Sequence, residues 1–495
     1  MKRRDILKWL GFGALGVCVS RRYSPLAGET APVRTVDLED LEDLAARIRK
    51  TPRTDVLDLA TKARQAGADP ATLLGAVFLA GLTDIRPWHV GGKLHAVMMV
   101  ESTFQLIEGR SDRDAWLAML WNLDDFKRSQ ARDIEDSEGD WVLPPRPEVT
   151  ASTESAARGE FLAAMKDWDH ERADRAIVAL LPFHTRESLF ELLWPLAARS
   201  FVNIGHKMIY AAQIERTLQR VDWKYAEPAL RSLVMALLFQ PSGRMTDAYS
   251  QSQEVIGSIP NGWLGAIERP ERSAELLRVL RSTDRTKAQD LVVSAFRTGL
   301  GPNTVWDALR LRSAEVFSHR ASSDPRRREA LLPVHAVTVT NAFGHAWRIS
   351  RSDPTKRLMM LQAAAWLDDL HAWLDENDCI ADTTLALDKL AADEAGVPET
   401  IDALLEQPSD ARAYDLLRRQ PQRAAPLVAR LQRNLLYTAV EHHQHKYAAA
   451  FAEEATWADP RWAPLILAPA LPYMPASAEP ATDFTRRALS SLGTG

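Results

Sequence analysis

Helical periodicity runs through nearly the whole chain, and it decides the fold class before any other feature is consulted. Residues 56–63, 71–82, 115–126, 188–198, 227–239 and 358–374 place apolar side chains three and four positions apart, the spacing of one helix face. Alanine and leucine dominate these stretches, and both are strong helix formers. Strand-length alternation is scarce, and Asn261-Gly262 lies in a Pro/Gly-rich connector rather than between two alternating runs. The expected fold is all-α: a large irregular multi-helix domain with histidines projecting into an interhelical pocket.

Three punctuated stretches divide the helices. They are Pro144-Pro-Arg-Pro147 with the Thr/Ser-rich residues that follow, the connector from Gln240 to Trp263, and Ser318 to Pro333 with its three consecutive arginines. They suggest one helical domain over 32–495 with sub-blocks 32–143, 156–239, 264–317 and 334–495. Apolar residues at 46% are enough to bury a sizeable core.

Residues 1–31 read as an address. Arg3-Arg4-Asp-Ile-Leu-Lys8 precedes an apolar run from Trp9 to Val19, far short of the roughly 20 residues that span a bilayer. The string resembles a twin-arginine (Tat) signal, which implies the Tat export machinery as a partner, a periplasmic or extracytoplasmic destination, and no integral membrane segment after processing. Net charge is −5, and residues 1–31 hold six Lys/Arg against two Asp/Glu, so the remainder lies near −9. That balance argues against nucleic acid as a partner. The two cysteines are Cys18, inside the leader, and Cys379, so the processed chain has no internal disulfide.

Nucleotide, hydrolase-elbow and His-Glu-x-x-His motifs are missing, which leaves the histidines. His95, His206, His335 and His345 sit in apolar helical stretches, where each imidazole needs a partner. On helices, His335, Thr338, Asn341 and His345 share a stripe, as do His206, Tyr210 and Gln213, and His95, Met99 and Ser102. Imidazole is a metal ligand and an acid/base group, so a shared pocket is expected. His335 and His345 are about 15 Å apart along a straight helix and cannot ligate one ion unless the helix breaks, with Gly344 the candidate break. In Glu441-His-His-Gln-His445, the His442/His445 and Glu441/His445 spacings each suit chelation from one helical face. The expected metal ligands are therefore His95, His206, His335, His345 and His445. Lys207 and Tyr210 are expected as proton donors beside His206 and His335 as catalytic groups. Fifteen tryptophans would line an apolar interior.

Lys93-Leu-His95 through Glu101-Ser102, Asn203-Ile-Gly-His-Lys207, Trp223 to Leu238, Val334-His-Ala-Val-Thr338 and His445-Lys-Tyr447 resemble an uncharacterised Tat-exported all-helical bacterial family. The Gly-His and His-Ala-Val-Thr segments are more distantly similar to the questin oxidase-like family. That resemblance implies an oxidoreductase of monooxygenase type acting on an apolar or aromatic small-molecule substrate, and the histidine set adds an expected metal ion, iron first. Two alternatives stand beside it. One is a non-catalytic helical scaffold or ligand carrier; the other is a metal-dependent hydrolase using Glu101 or Glu227 as base.

Overall fold

A computed structural model describes residues 41–88, 91–136, 140–149, 152–239, 246–281, 287–381, 387 and 398–493. The leader expected over 1–31 and part of the connector at 240–263 lie outside them. The described residues form helices throughout, with two isolated bridges, Ile267 to Leu300 and Arg320 to Ile380, and no strand. The all-α expectation is met. Among the described residues, no helix is long and apolar enough to cross a membrane.

Helix starts follow local chemistry. Asp69 accepts from the Thr72 backbone and is followed by Pro70, while Thr185 and Ser188 form a reciprocal capping box. Ser352 caps the 24-residue helix Asp353–Glu376, again with proline in the first turn. Buried apolar residues from Leu41 to Leu492 make one connected core, with a small satellite around Leu311 and Ile466.

At the middle stand four helices: His95–Ile107, His206–Val221, His335–Ile349 and His442–Trp457. Neighbours pack in a closed ring, so that the His95 helix touches the His206 and His442 helices, and the His335 helix touches the same two. Contacts recur at matching distances from each helix start. Gln213 meets Ser102, each seven residues after its histidine, and Glu215 meets His345, at nine and ten. The bundle is therefore parallel, with four N-termini at one end. Around it pack Asp112–Asp136, Arg186–Ala198, Ala226–Leu237, Pro302–Ser318 and Asp353–Glu376.

Candidate metal centre

All four helices begin on a histidine, and in three of them that first histidine is held in the same way. The backbone N–H of His95, His206 and His335 donates to the carbonyl three residues earlier, at Gly92, Asn203 and Leu332. The ring Nδ1 donates to that same carbonyl, at 2.5, 2.6 and 3.0 Å respectively. A carbonyl can only accept, so the proton is on Nδ1 in all three rings and, in the neutral imidazole, Nε2 carries a lone pair.

Those three Nε2 atoms converge. His206 Nε2 lies 2.8 Å from His95 Nε2 and 3.2 Å from His335 Nε2. His443 completes the group, one ring nitrogen from each of the four lying within 4.8 Å of the others. Its Nδ1 donates to Glu441 Oε2 at 2.8 Å, and its Nε2 is buried with no hydrogen-bond partner. All four rings are at most 3% exposed.

Converging lone pairs repel unless a cation sits among them. A proton is the weaker candidate. Burial, reinforced by Lys446, pushes His95 and His443 well below the ordinary imidazole range and His335 down to about 3. His206 is lowered likewise, by burial, then by His335 and Lys446. Neutral imidazole is the form that ligates metals. Nitrogens about 2.1 Å from one ion stand roughly 3.0–3.4 Å apart for cis or tetrahedral geometry, and the two measured separations straddle the lower edge of that range. The buried histidine cluster could hold a metal ion, and Glu441 gives His443 the carboxylate partner that orients ligating histidines.

The chain before each histidine explains the precision. Asn203, Ile204 and Gly205 have φ of 59°, 53° and 75°, three successive residues in the left-handed region. For β-branched Ile204 this is a strained conformation, of the kind held at functional sites by surrounding structure. It swings the Asn203 carbonyl onto the His206 ring. Before His95, the buried pair Lys93–Asp133 (2.6 Å) anchors the loop. Gly91 is exposed, and a Cβ there would stand 2.9 Å from His206 Nδ1, so the backbone packs against this ring as only a glycine allows.

About two turns beyond the histidines lies a cavity of about 10 Å³ between the four helices, room for one water. Its polar lining is Ser102, Gln213, Arg216, Thr338, Asn341 and Lys446. Of the polar stripes expected on three helices, Ser102, Gln213, Thr338 and Asn341 meet here, whereas Tyr210 and His345 do not. Lys446 Nζ is buried without a hydrogen-bond partner, and burial lowers it to about 7.

Of the expected ligands, the structure brings together His95, His206 and His335. It does not bring in His345 or His445. The His335–Ile349 helix runs through Gly344 unbroken, and His345 Nε2 meets Glu215 at 2.7 Å. His445 packs on Trp121, ring centroids 4.4 Å apart, with neither ring nitrogen partnered. Nor do the expected proton donors act here. Tyr210 bonds to the Ser232 hydroxyl at 2.8 Å, and burial raises its phenol above the ordinary range. Lys207 Nζ donates to the carbonyls of Leu237 and Phe239. Glu101 is in an ion pair with Arg220 (2.8 Å), and Glu227 with Arg146 (3.2 Å).

His443 was missed because ligand spacing was sought within one helix, which favours His442 and His445. The available signal was Glu441 as an N-cap: it accepts from the His443 backbone at 2.6 Å and so sets that ring at the helix start, as in the other three helices. His442 stacks on His95 at 4.1 Å. Burial opposes its charge, but Glu441 and Asp125 hold it at about 9.

No protein-family model, curated protein or solved structure matches the chain.

Proposed function

We propose that His95, His206, His335 and His443 bind one transition-metal ion and that the chain is an exported oxidoreductase built on that ion. The observation carrying this reading is the fixed tautomer: three Nδ1 protons are committed to backbone carbonyls, and the Nε2 lone pairs left over face one point. An all-imidazole donor set suits iron, copper, nickel and zinc. The resemblance to questin oxidase-like proteins favours iron and an apolar or aromatic substrate oxidised at the expense of dioxygen. The cavity farther along the same helices has room for one water. A larger substrate would meet the centre at its Gly91 side. His206 and His335 act as ligands in this reading, and Lys446 replaces Lys207 and Tyr210 as the polar group beside the ion. Export through the Tat route is consistent with a centre assembled in the cytoplasm before translocation. Hydrolysis is less well supported, since Glu101 and Glu227 are both in ion pairs with arginine.

The test is elemental analysis with optical and paramagnetic-resonance spectra on protein purified after native export. Iron, copper or manganese near one per chain supports the reading, and zinc moves it to hydrolysis. Protein that takes up no metal overturns it and leaves the scaffold or carrier. His206→Ala should lose the metal while circular dichroism stays helical.

A further inference from the structure

His443 has a second ring nitrogen, and on that side of the ring the bundle places a second set of donors. Glu441, His442 and His443 each bring one ligand atom within 4.8 Å of the other two. Glu441 Oε1 is 2.8 Å from His442 Nε2, and Glu441 Oε2 is 2.8 Å from His443 Nδ1. The helix start produces this convergence. Successive residues diverge by about 100° around a helix, so two adjacent histidines share a point only where a third group reaches between them. Glu441 is that group: it is the N-cap of the helix His442–Trp457 and accepts from the His443 backbone. Donors about 2.1 Å from one ion stand about 3.0 Å apart at right angles, and both separations here lie close to that value.

Asp125, on the helix Asp112–Asp136, backs His442. Its Oδ1 stands 3.6 Å from His442 Nδ1 and 3.0 Å from Arg128, while its Oδ2 is buried with no hydrogen-bond partner. A carboxylate behind the far nitrogen is what orients a ligating imidazole. The plane of the His442 ring is fixed by its stack on His95, centroids 4.1 Å apart at 20°. Two carboxylates thus face His442 from opposite nitrogens and bring the negative charge that suits a divalent cation. Exposure separates the two donor sets. The four-histidine ring is closed off, whereas the His442 side chain is 24% exposed and that of Glu441 14%, so the outer set is within reach of solvent.

We infer that the Glu441 carboxylate, His442 Nε2 and His443 Nδ1 form a second, solvent-exchangeable site for a divalent transition-metal ion, with Asp125 orienting His442. The shared use of His443 rests on the metal reading above, which this site extends from one ion to two. A set of two imidazoles and a carboxylate suits zinc, copper, nickel or iron. Binding releases the proton on His442 Nε2 to solvent, and His442 keeps its Nδ1 proton facing Asp125. With the ring site empty, the His443 proton moves from Nδ1 to Nε2. With the ring site filled, that proton also leaves to solvent, and His443 joins the two ions as an imidazolate. Purification in metal-free buffer should leave the buried ion alone, and added metal should fill the outer site.

Equilibrium dialysis against cobalt, followed by elemental analysis of all bound metal, tests this. The comparison is with His442→Phe, which keeps a ring against His95 and removes the nitrogen donor. Wild-type protein should hold two ions per chain and the variant one. One ion in both proteins, or two in both, overturns the outer site and leaves the four-histidine reading intact. One in wild type and none in the variant keeps the outer site and overturns the four-histidine reading. No metal in either protein overturns both. Should His442→Phe fail to fold, anomalous diffraction at the cobalt edge from wild-type crystals soaked in cobalt decides. A peak between Glu441, His442 Nε2 and His443 Nδ1 supports the outer site, and its absence overturns it.

Discussion

Each imidazole of the centre has two nitrogens, and its neighbours give them opposite duties. Nδ1 is tied to a carbonyl in His95, His206 and His335, and to the Glu441 carboxylate in His443, which leaves Nε2 for a ligand. The His443–Glu441 contact is the only one of the four that uses a charged acceptor. Glu441→Gln keeps an acceptor oxygen but removes the charge. It should lower metal affinity about 10- to 100-fold, the usual cost of losing such an orienting carboxylate, as measured by competition against a chelator. At this scale the sequence was partly legible. An imidazole in an apolar helical stretch is costly unless used, which singled out His95, His206 and His335. The same argument drew in His345, whose partner Glu215 lies 130 positions away and is invisible to local pattern.

Among the elements, the turn before His206 holds three successive residues in the left-handed region. Gly205 has φ of 75°, and a Cβ there would stand 2.7 Å from Val339 Cγ2 on the adjacent helix. Gly205→Ala should therefore destabilise the fold by about 1–3 kcal/mol, combining a left-handed alanine with a displaced helix contact, and urea unfolding measures it. Metal affinity should fall with it, because the same turn aims the His206 ring. Apolar periodicity told which segments are helical and which faces are buried. It carried no information on helix direction, and the parallel arrangement is what puts four helix starts together. A one-helix ligand search therefore selected His445, which the bundle turns onto Trp121.

Taken as a whole, the molecule encloses many histidines that burial keeps neutral. His445 and His371 are lowered to about 4 and His335 to about 3, against 6.5 in the unfolded chain. Between those values the unfolded chain binds more protons, so stability is fully present above pH 6.5 and is lost as pH falls towards 4. Asp307, raised to about 6 by burial, pulls the other way, as do Glu101, Asp410 and Glu454, which burial also raises, and His442, held at about 9 by Glu441 and Asp125. The histidines lowered by burial outnumber them. The urea midpoint should be lower at pH 5.0 than at pH 7.5. A bound ion adds to native stability by mass action, so chelator treatment of metal-loaded protein should lower its melting temperature, with recovery on readdition. What the sequence by itself determined is the helical class, because apolar spacing and helix propensity are local and cumulative. It also determined that several histidines had to be accommodated inside, because a buried imidazole needs a partner wherever it lies. Only the tertiary structure decided which four meet, since their ring contacts join residues more than 100 positions apart. Those contacts depend on the direction and register of whole helices, which no local pattern in the chain encodes.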